Sequence, residues 1–172
     1  PNYIRNRPSF NRRQLNRIDA NYRKRILSLQ AVDEGIGKMI ETLKETGQLE
    51  NTYIVFASDN GFHQGHHRLV AGKQTPYETD IRVPLIIRGP NVPKGVVRQN
   101  LVGNIDLAPT FAAMAGVKPL DFMDGRSLLP LLCSNPPSAK SWRQTFLLEH
   151  WTQKSKLPDE EEREPADIDD ES

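Results

Sequence analysis

The sequence predicts an α/β layer fold. Three observations support it: a long stripe of apolar residues at helical spacing, two short apolar runs rich in β-branched residues, and a second helical pattern after them. Helices and strands that alternate in this way pack as layers around one core. The length of 172 residues is enough for one ordinary domain.

A long amphipathic helix is predicted in the first third of the chain. Gly47 follows it and is a typical helix terminus. Gly35 and Gly37 weaken this helix locally and could mark close packing. The apolar positions recur at steps of three and four residues: Ile18, Tyr22, Ile26, Leu29, Val32, Ile36, Met39 and Leu43.

The strands are predicted from short apolar runs. Residues 52–57 form a continuous run that would be buried on both faces, which is typical of a parallel strand in the middle of a sheet. Residues 83–87 form a second strand after a polar loop whose length indicates a functional loop. A helix is predicted from a cap at Asn104 or Asp106 to Gly116, and a late strand at residues 145–149.

Composition excludes several classes of protein. No apolar run approaches the roughly 18 residues of a membrane span. The 23 basic and 22 acidic side chains nearly cancel, so we expect no nucleic-acid partner. The single cysteine, Cys133, cannot form an internal disulfide and is predicted to be a buried structural thiol. Pro1 at the start indicates a processed chain or a piece of a longer protein.

Charge is unevenly distributed between the two ends. Residues 1–20 form a basic segment, which we interpret as a solvated or partner-facing surface. Residues 152–172 form an acidic tail with almost no apolar content, which predicts disorder.

The segment directly after the first strand carries the candidate chemistry. Asp59 and Asn60 offer hard oxygen donors suited to Ca²⁺ or Mg²⁺, although an Asp-Asn-Gly sequence is also common in plain turns. The spacing of His63, His66 and His67 disfavours zinc. Lys73 lies on a loop beside a glycine and could bind an oxyanion, or could simply be solvated.

From Tyr22 to about Trp151 the sequence resembles the type I sulfatases of the alkaline-phosphatase-like superfamily. It is most similar to the N-acetylglucosamine-6-sulfatases and the extracellular heparan endosulfatases. The resemblance implies part of a mixed sheet flanked by helices, with residues 21–151 as the C-terminal portion of the catalytic domain. The motifs that carry it are Arg23-Lys24-Arg25, residues 28–33, residues 45–53, Ser58-Asp59-Asn60-Gly61, Ile81-Arg82-Val83-Pro84, residues 104–110 and Asp124-Gly125-Arg126-Ser127-Leu128.

The resemblance also implies roles for individual residues. Asp59 and Asn60 would be two ligands of the family's Ca²⁺, and Lys73 would be the catalytic lysine that binds sulfate oxygens. His67 lies where some members of the superfamily carry a histidine, although the closest subgroups do not, and would be a substrate contact. His63 matches a histidine often found in the glucosamine-6-sulfatase type, without an assured role. The implied activity is hydrolysis of a sulfate monoester, with a sulfated carbohydrate or an aryl sulfate as substrate.

Several family features are missing from these 172 residues, including the aspartate pair that binds calcium and an early lysine and histidines. The sulfatase nucleophile is a formylglycine made in a Cys/Ser-x-Pro-x-Arg motif, and neither Cys133 nor Ser134 begins such a motif. We therefore expect the nucleophile and the other metal ligands upstream of residue 1, and an inactive isolated chain. The alternatives are a phosphodiesterase or phosphonate hydrolase of the same superfamily, or a non-catalytic binding fragment. Relatives are lysosomal, extracellular or periplasmic, so the resemblance leaves the compartment open.

Overall fold

A computed structural model describes residues 2–150 of the chain. The predicted acidic tail at residues 152–172 lies outside the described residues. Within them the chain is a mixed α/β structure, with helices α1 to α4, strands β1 and β2, and short 3₁₀ turns. The bounds are α1 Asn2–Arg5, α2 Arg12–Glu45, β1 Ile54–Ala57, α3 Glu78–Ile81, β2 Leu85–Arg88 and α4 Leu107–Met114.

The long helix is confirmed, and it begins earlier than the apolar stripe. A capping box starts α2: the Asn11 side chain accepts from the Gln14 N–H, and the Gln14 side chain accepts from the Asn11 N–H, each at 2.9 Å. Gly47 follows the helix with φ of +68°. No residue of α2 is buried. A Cβ atom at Gly35 or Gly37 would meet no atom of another segment within 4 Å, so the described residues show no close packing there.

The prediction of a parallel strand is wrong. β1 and β2 pair antiparallel, with Ile54 opposite Arg88 and Ala57 opposite Leu85. Residues 58–84 turn the chain back on itself without a crossover to a parallel neighbour. The pair is also only partly buried, since the side chain of Ile86 is 63% exposed.

The predicted late strand at residues 145–149 is also wrong. This segment is irregular, because side-chain contacts rather than a β ladder attach the end of the described chain. The Trp142 Nε1–H donates to the carbonyl of Leu101 at 2.9 Å. The ring of Phe146 lies against Gly103.

The small core surrounds α4. The predicted helix start is confirmed, since a 3₁₀ turn at Asn104–Asp106 continues directly into α4. Gly116 follows the helix with φ of +72°. The buried residues of this core are Asp106, Pro109, Thr110, Leu128 and Leu131.

Cys133 lies outside this core. The prediction of a buried thiol is wrong: Cys133 is exposed, and its thiol donates to the carbonyl of Pro130 at 3.1 Å. The short turn at Leu129–Leu132 ends just before it and leaves its side chain at the surface.

Among the described residues, no helix has both the length and the apolar character required to cross a membrane.

Candidate functional site

The candidate site lies in the long connection between β1 and β2. It begins with a turn at residues 58–61, directly after β1. The Ser58 hydroxyl donates to the carbonyl of Asn60 at 2.8 Å, and Asp59 Oδ1 accepts from the Asn60 N–H at 2.8 Å. These two bonds fix the backbone that carries the predicted metal ligands.

Gly61 lets this turn pack directly on α3. The Gly61 N–H donates to the carbonyl of Asp80 and the Phe62 N–H donates to the carbonyl of Thr79, each at 2.8 Å. A Cβ atom at Gly61 would overlap the carbonyl of Thr79. The glycine is therefore required by the close approach of two backbones.

Lys73 and Asn60 meet, as their predicted roles at one site require. The Lys73 ammonium donates to Asn60 Oδ1 at 2.9 Å. The Asn60 Nδ2–H donates to the carbonyl of Gly61 at 2.8 Å, which orients the amide so that its oxygen faces Lys73. A cationic side chain and an amide oxygen from two separate segments of the loop are therefore in direct contact.

The donors at this turn fit the chemistry of a hard cation. Asp59 is exposed and supplies a carboxylate, and Asn60 supplies an amide oxygen. Ca²⁺ prefers oxygen ligands of both kinds and takes about 6–8 of them. Asp59 and Asn60 can hold part of such a shell. The described residues contain no group of three or more His, Cys, Asp or Glu side chains able to hold a metal ion.

The three histidines of the loop point to different partners. His67 is exposed, has φ of +56°, and its ring lies 4.5 Å from the ring centroid of Tyr77. His66 accepts at Nδ1 from the Gln64 N–H at 3.1 Å. His63 is buried against other groups. The three histidine rings therefore have different neighbours.

Asp80 is a residue that the sequence reasoning missed. It is 5% exposed, and its carboxylate accepts from Thr75 and from His63 Nδ1. Burial acts to raise the pKa of Asp80, but hydrogen bonds from Thr75 and His63 outweigh it and hold the pKa below the usual aspartate value. Asp80 is therefore a buried anion that joins two parts of the loop. The one signal in the sequence was that Asp80 directly precedes the family motif Ile81-Arg82-Val83-Pro84.

Asn104 also holds the turn at residues 58–61 in place, whereas the sequence analysis predicted only a helix cap at this residue. The Asn104 Nδ2–H group donates to the carbonyls of Ser58 and Asp59 at 2.9 and 3.1 Å. Asn104 begins the turn that ends at the buried Asp106. The start of α4 is thereby attached to the backbone of the candidate metal turn.

The buried Asp106 anchors that turn. Its carboxylate accepts from the Arg143 guanidinium and from the N–H groups of Arg126 and Gly103. Burial acts to raise the pKa of Asp106, and the bonds from Arg143 and the two N–H groups outweigh it, so the pKa lies below the usual value. The hydrogen bonds to Asp106 also raise the pKa of Arg143.

The start of the chain lies beside the candidate loop. The Arg25 guanidinium sits 4.3 Å from the ring centroid of Phe62. The Gln64 side chain donates to the carbonyl of Ile18 at 3.1 Å. Ile18 and Arg25 of α2 thus border the part of the loop that follows the turn at residues 58–61.

Comparisons with known proteins identify the family of this chain. The family model described as "Sulfatase" matches residues 2–117. The chain is 47% identical over 127 residues to an extracellular sulfatase SULF-1 homolog of Drosophila melanogaster, covering 73% of this chain and 11% of the relative. It is 42% identical over 134 residues to N-acetylglucosamine-6-sulfatase of Homo sapiens, covering 77% of this chain and 24% of the relative.

Solved structures give the same result. One is a protein in complex with its substrate D-glucosamine-2-N,6-O-disulfate, with a TM-score of 0.62, 40% identity, and coverage of 67% of this chain and 23% of that one. Another is a phosphonate monoester hydrolase from Silicibacter pomeroyi, with a TM-score of 0.60, 42% identity, and coverage of 66% and 22%.

The fold and its similarity to these two solved structures place the chain in the alkaline-phosphatase-like α/β class. Within that class, it belongs to the sulfatase family, which confirms the resemblance. The chain spans less than a quarter of the length of the fly and human relatives.

Proposed function

We propose that this chain contributes the anion-binding lysine and two metal ligands to the active site of a sulfuric ester hydrolase. The contact between Lys73 Nζ and Asn60 Oδ1, at 2.9 Å, is the observation that carries the proposal. It joins the residue proposed for sulfate binding to a residue proposed for metal binding. Membership of the sulfatase family supports the same activity.

Electrostatics explains why such residues suit sulfate transfer. Cleavage of a sulfate monoester develops negative charge on oxygen atoms, so fixed cations lower the barrier. Lys73 is exposed and can place its ammonium against a sulfate oxygen, while Asn60 Oδ1 orients that ammonium. A Ca²⁺ ion held in part by Asp59 and Asn60 would supply Lewis acidity when bound.

Cation and anion binding are expected to be coupled at Asn60. Its Oδ1 already accepts from the Lys73 ammonium, so a cation on the same oxygen would lie close to a second positive charge. A bound sulfate relieves this repulsion. Each ligand should therefore raise the affinity for the other by the same factor.

The proposed substrate is a sulfated sugar. A structural neighbour 40% identical to this chain was solved with a glucosamine disulfate, and a relative 42% identical is named for N-acetylglucosamine-6-sulfate chemistry. His67, exposed beside Tyr77, is the proposed sugar contact. The second candidate is a phosphonate monoester hydrolase, which the neighbour from Silicibacter pomeroyi favours.

The nucleophile is proposed to come from elsewhere, because no Cys/Ser-x-Pro-x-Arg motif occurs in these 172 residues. We therefore expect the isolated chain to bind Ca²⁺ and sulfate weakly and to hydrolyse neither aryl sulfates nor sulfated sugars. Turnover of an aryl sulfate by the purified chain, abolished by Lys73→Ala, would show that the nucleophile lies within it.

The activity is tested in a chimera. Residues 22–150 replace the matching segment of human N-acetylglucosamine-6-sulfatase, and hydrolysis of 6-O-sulfated glucosamine, an aryl sulfate and an aryl phosphonate monoester is measured. We expect the sulfate esters to be hydrolysed and Lys73→Ala to abolish turnover. Lys140→Ala, at an exposed lysine of another turn, is the matched control and should keep full activity.

Two outcomes would overturn the proposal. Preference for the phosphonate ester would favour the second candidate function. Equal turnover by the Lys73→Ala and Lys140→Ala chimeras would remove Lys73 from the site.

A further inference from the structure

The two loop segments that carry Asn60 and Lys73 are joined by a short β bridge. The His63 N–H donates to the carbonyl of Gly72 at 2.9 Å, and the Gly72 N–H donates to the carbonyl of His63 at 3.0 Å. Lys73 follows the bridge on one segment, and Asn60 precedes it on the other. The bridge therefore fixes the backbone that precedes Lys73 relative to the segment that carries Asn60.

Asp80 fixes the backbone that follows Lys73. Its Oδ2 accepts from the Thr75 N–H at 2.9 Å and from the Thr75 hydroxyl at 2.7 Å. The same carboxylate lies 2.9 Å from His63 Nδ1. Lys73 is thus held between Gly72, which is bridged to His63, and Thr75, which is bonded to Asp80.

Asp80 also reaches the segment that carries the amide. Its backbone carbonyl accepts from the Gly61 N–H at 2.8 Å, and Gly61 directly follows Asn60. One residue therefore holds the backbone on both sides of the contact between Lys73 and Asn60.

The pair of Asp80 and His63 is built as an interior support. Asp80 is 5% exposed and His63 is 6% exposed. The Asp80 carboxylate accepts hydrogen bonds from His63, Thr75 and Thr79, so it acts on Lys73 through the backbone. The pKa of Asp80 lies below its usual value, so the group is an anion at neutral pH and a strong acceptor.

We propose that Asp80, together with His63, is a positioning residue that sets the distance between the Lys73 ammonium and Asn60 Oδ1. Part of this inference, the consequence for sulfate affinity, rests on the proposed function. A long lysine side chain loses much rotamer freedom when it is held, so a fixed backbone on both sides lowers the cost of binding an anion. Without Asp80 the lysine should sample positions away from the amide.

The side-chain amide of Asn60 gives a direct readout. Its nitrogen-15 cross-peak is recorded in the full 172-residue chain, and Lys73→Ala defines the shift that follows loss of the ammonium. We expect Asp80→Ala to move the Asn60 cross-peak by at least half of that displacement. Asp80→Asn keeps an oxygen for Thr75 and should lie between Asp80→Ala and the wild type.

A matched destabilised variant separates positioning from general loss of stability. Leu128→Ala removes a residue that is 2% exposed in the core around α4 and lies outside the segment of residues 58–84. It should leave the Asn60 cross-peak at its wild-type position. If Asp80→Ala fails to fold, Thr75→Val, which removes one bond to the carboxylate, is expected to give a smaller shift in the same direction.

An Asn60 cross-peak that stays at its wild-type position in Asp80→Ala and in Thr75→Val would overturn the inference, as would an equal displacement in Leu128→Ala. A sulfate titration of the same samples tests the proposed function separately. If the wild-type chain and Lys73→Ala respond equally to sulfate, the proposed function fails, and the positioning result still stands on the amide shift.

Discussion

The carboxylate of Asp106 and the guanidinium of Arg143 form two parallel hydrogen bonds of 2.8 Å, across 37 positions of sequence. Asp106 is fully buried, and the Arg143 side chain is only 10% exposed. Asp106 also ends the turn whose first residue, Asn104, donates to the carbonyls of Ser58 and Asp59. The ion pair therefore connects the end of the described chain to the candidate metal turn.

Removing Arg143 should unfold this region. Arg143→Ala leaves a buried carboxylate without its counter-charge, which costs about 3–5 kcal/mol. Arg143→Lys keeps the charge but loses the paired geometry, so we expect an intermediate loss. Urea unfolding followed by tryptophan fluorescence measures both. Arg126→Ala is the control, because Arg126 reaches Asp106 through its backbone N–H. A loss in Arg126→Ala as large as in Arg143→Ala would contradict this account.

Acid should destabilise the chain through its two buried aspartates. The pKa values of Asp80 and Asp106 lie below their usual value of about 3.9, so the unfolded state takes up protons at a higher pH than the folded state. Their stabilising effect is present above about pH 4 and is lost as the pH falls through the folded-state pKa values.

The measurement is the urea midpoint from neutral pH down to about pH 3. Asp106→Asn should reduce the dependence of the midpoint on pH, because one of the two groups no longer titrates. Asp121→Asn, at a carboxylate 91% exposed, should leave it unchanged. Parallel pH profiles for wild type and Asp106→Asn would show that this carboxylate is not responsible.

Gly61→Ala should disrupt the packing of the turn at residues 58–61 on α3. The added Cβ would overlap the carbonyl of Thr79, so the two backbones must separate, at a cost of about 1–3 kcal/mol. Gly37→Ala tests the same substitution in open space within α2 and should stabilise the chain by about 0.5–1 kcal/mol. Thermal unfolding compares them. Equal melting temperatures for the two variants would mean that the close approach does not exist.

Asn11→Ala should shorten α2. The side chain of Asn11 satisfies the Gln14 N–H at the start of the helix, and loss of such a cap costs about 1 kcal/mol. Because α2 has no buried residue, we expect the loss to appear as fraying, measured as lower helicity by far-ultraviolet circular dichroism. Asn16→Ala, within the helix, should raise helicity. A drop of equal size at Asn16 would exclude capping as the cause.

The two longer helices were predictable from the sequence, since spacing and termini are local properties, whereas the short helices α1 and α3 were not predicted. The stripe from Ile18 to Leu43 predicted α2, and the pattern from Asn104 to Gly116 predicted α4. The direction of strand pairing was not predictable. A continuous apolar run at residues 52–57 indicates burial but gives no information about the direction of the neighbouring strand.

Contacts within the candidate site were predictable only where a motif marked the residues. The resemblance predicted Lys73 and Asn60, and the structure brings them within hydrogen-bond distance. The functional roles of Asp59, Asn60, Lys73 and His67 stay predictions. Asp80 was missed because its partner His63 lies 17 residues away, and nothing local shows that this aspartate will be buried.

The 34-residue helix α2 extends for about 50 Å without burying one side chain. Most of its backbone amides should therefore exchange with solvent deuterium through local opening. Amides around Thr110 and Leu128, enclosed by the core, should exchange only when the whole unit opens. Hydrogen exchange is therefore expected to show one group of backbone amides that exchanges fast and a second group that exchanges slowly.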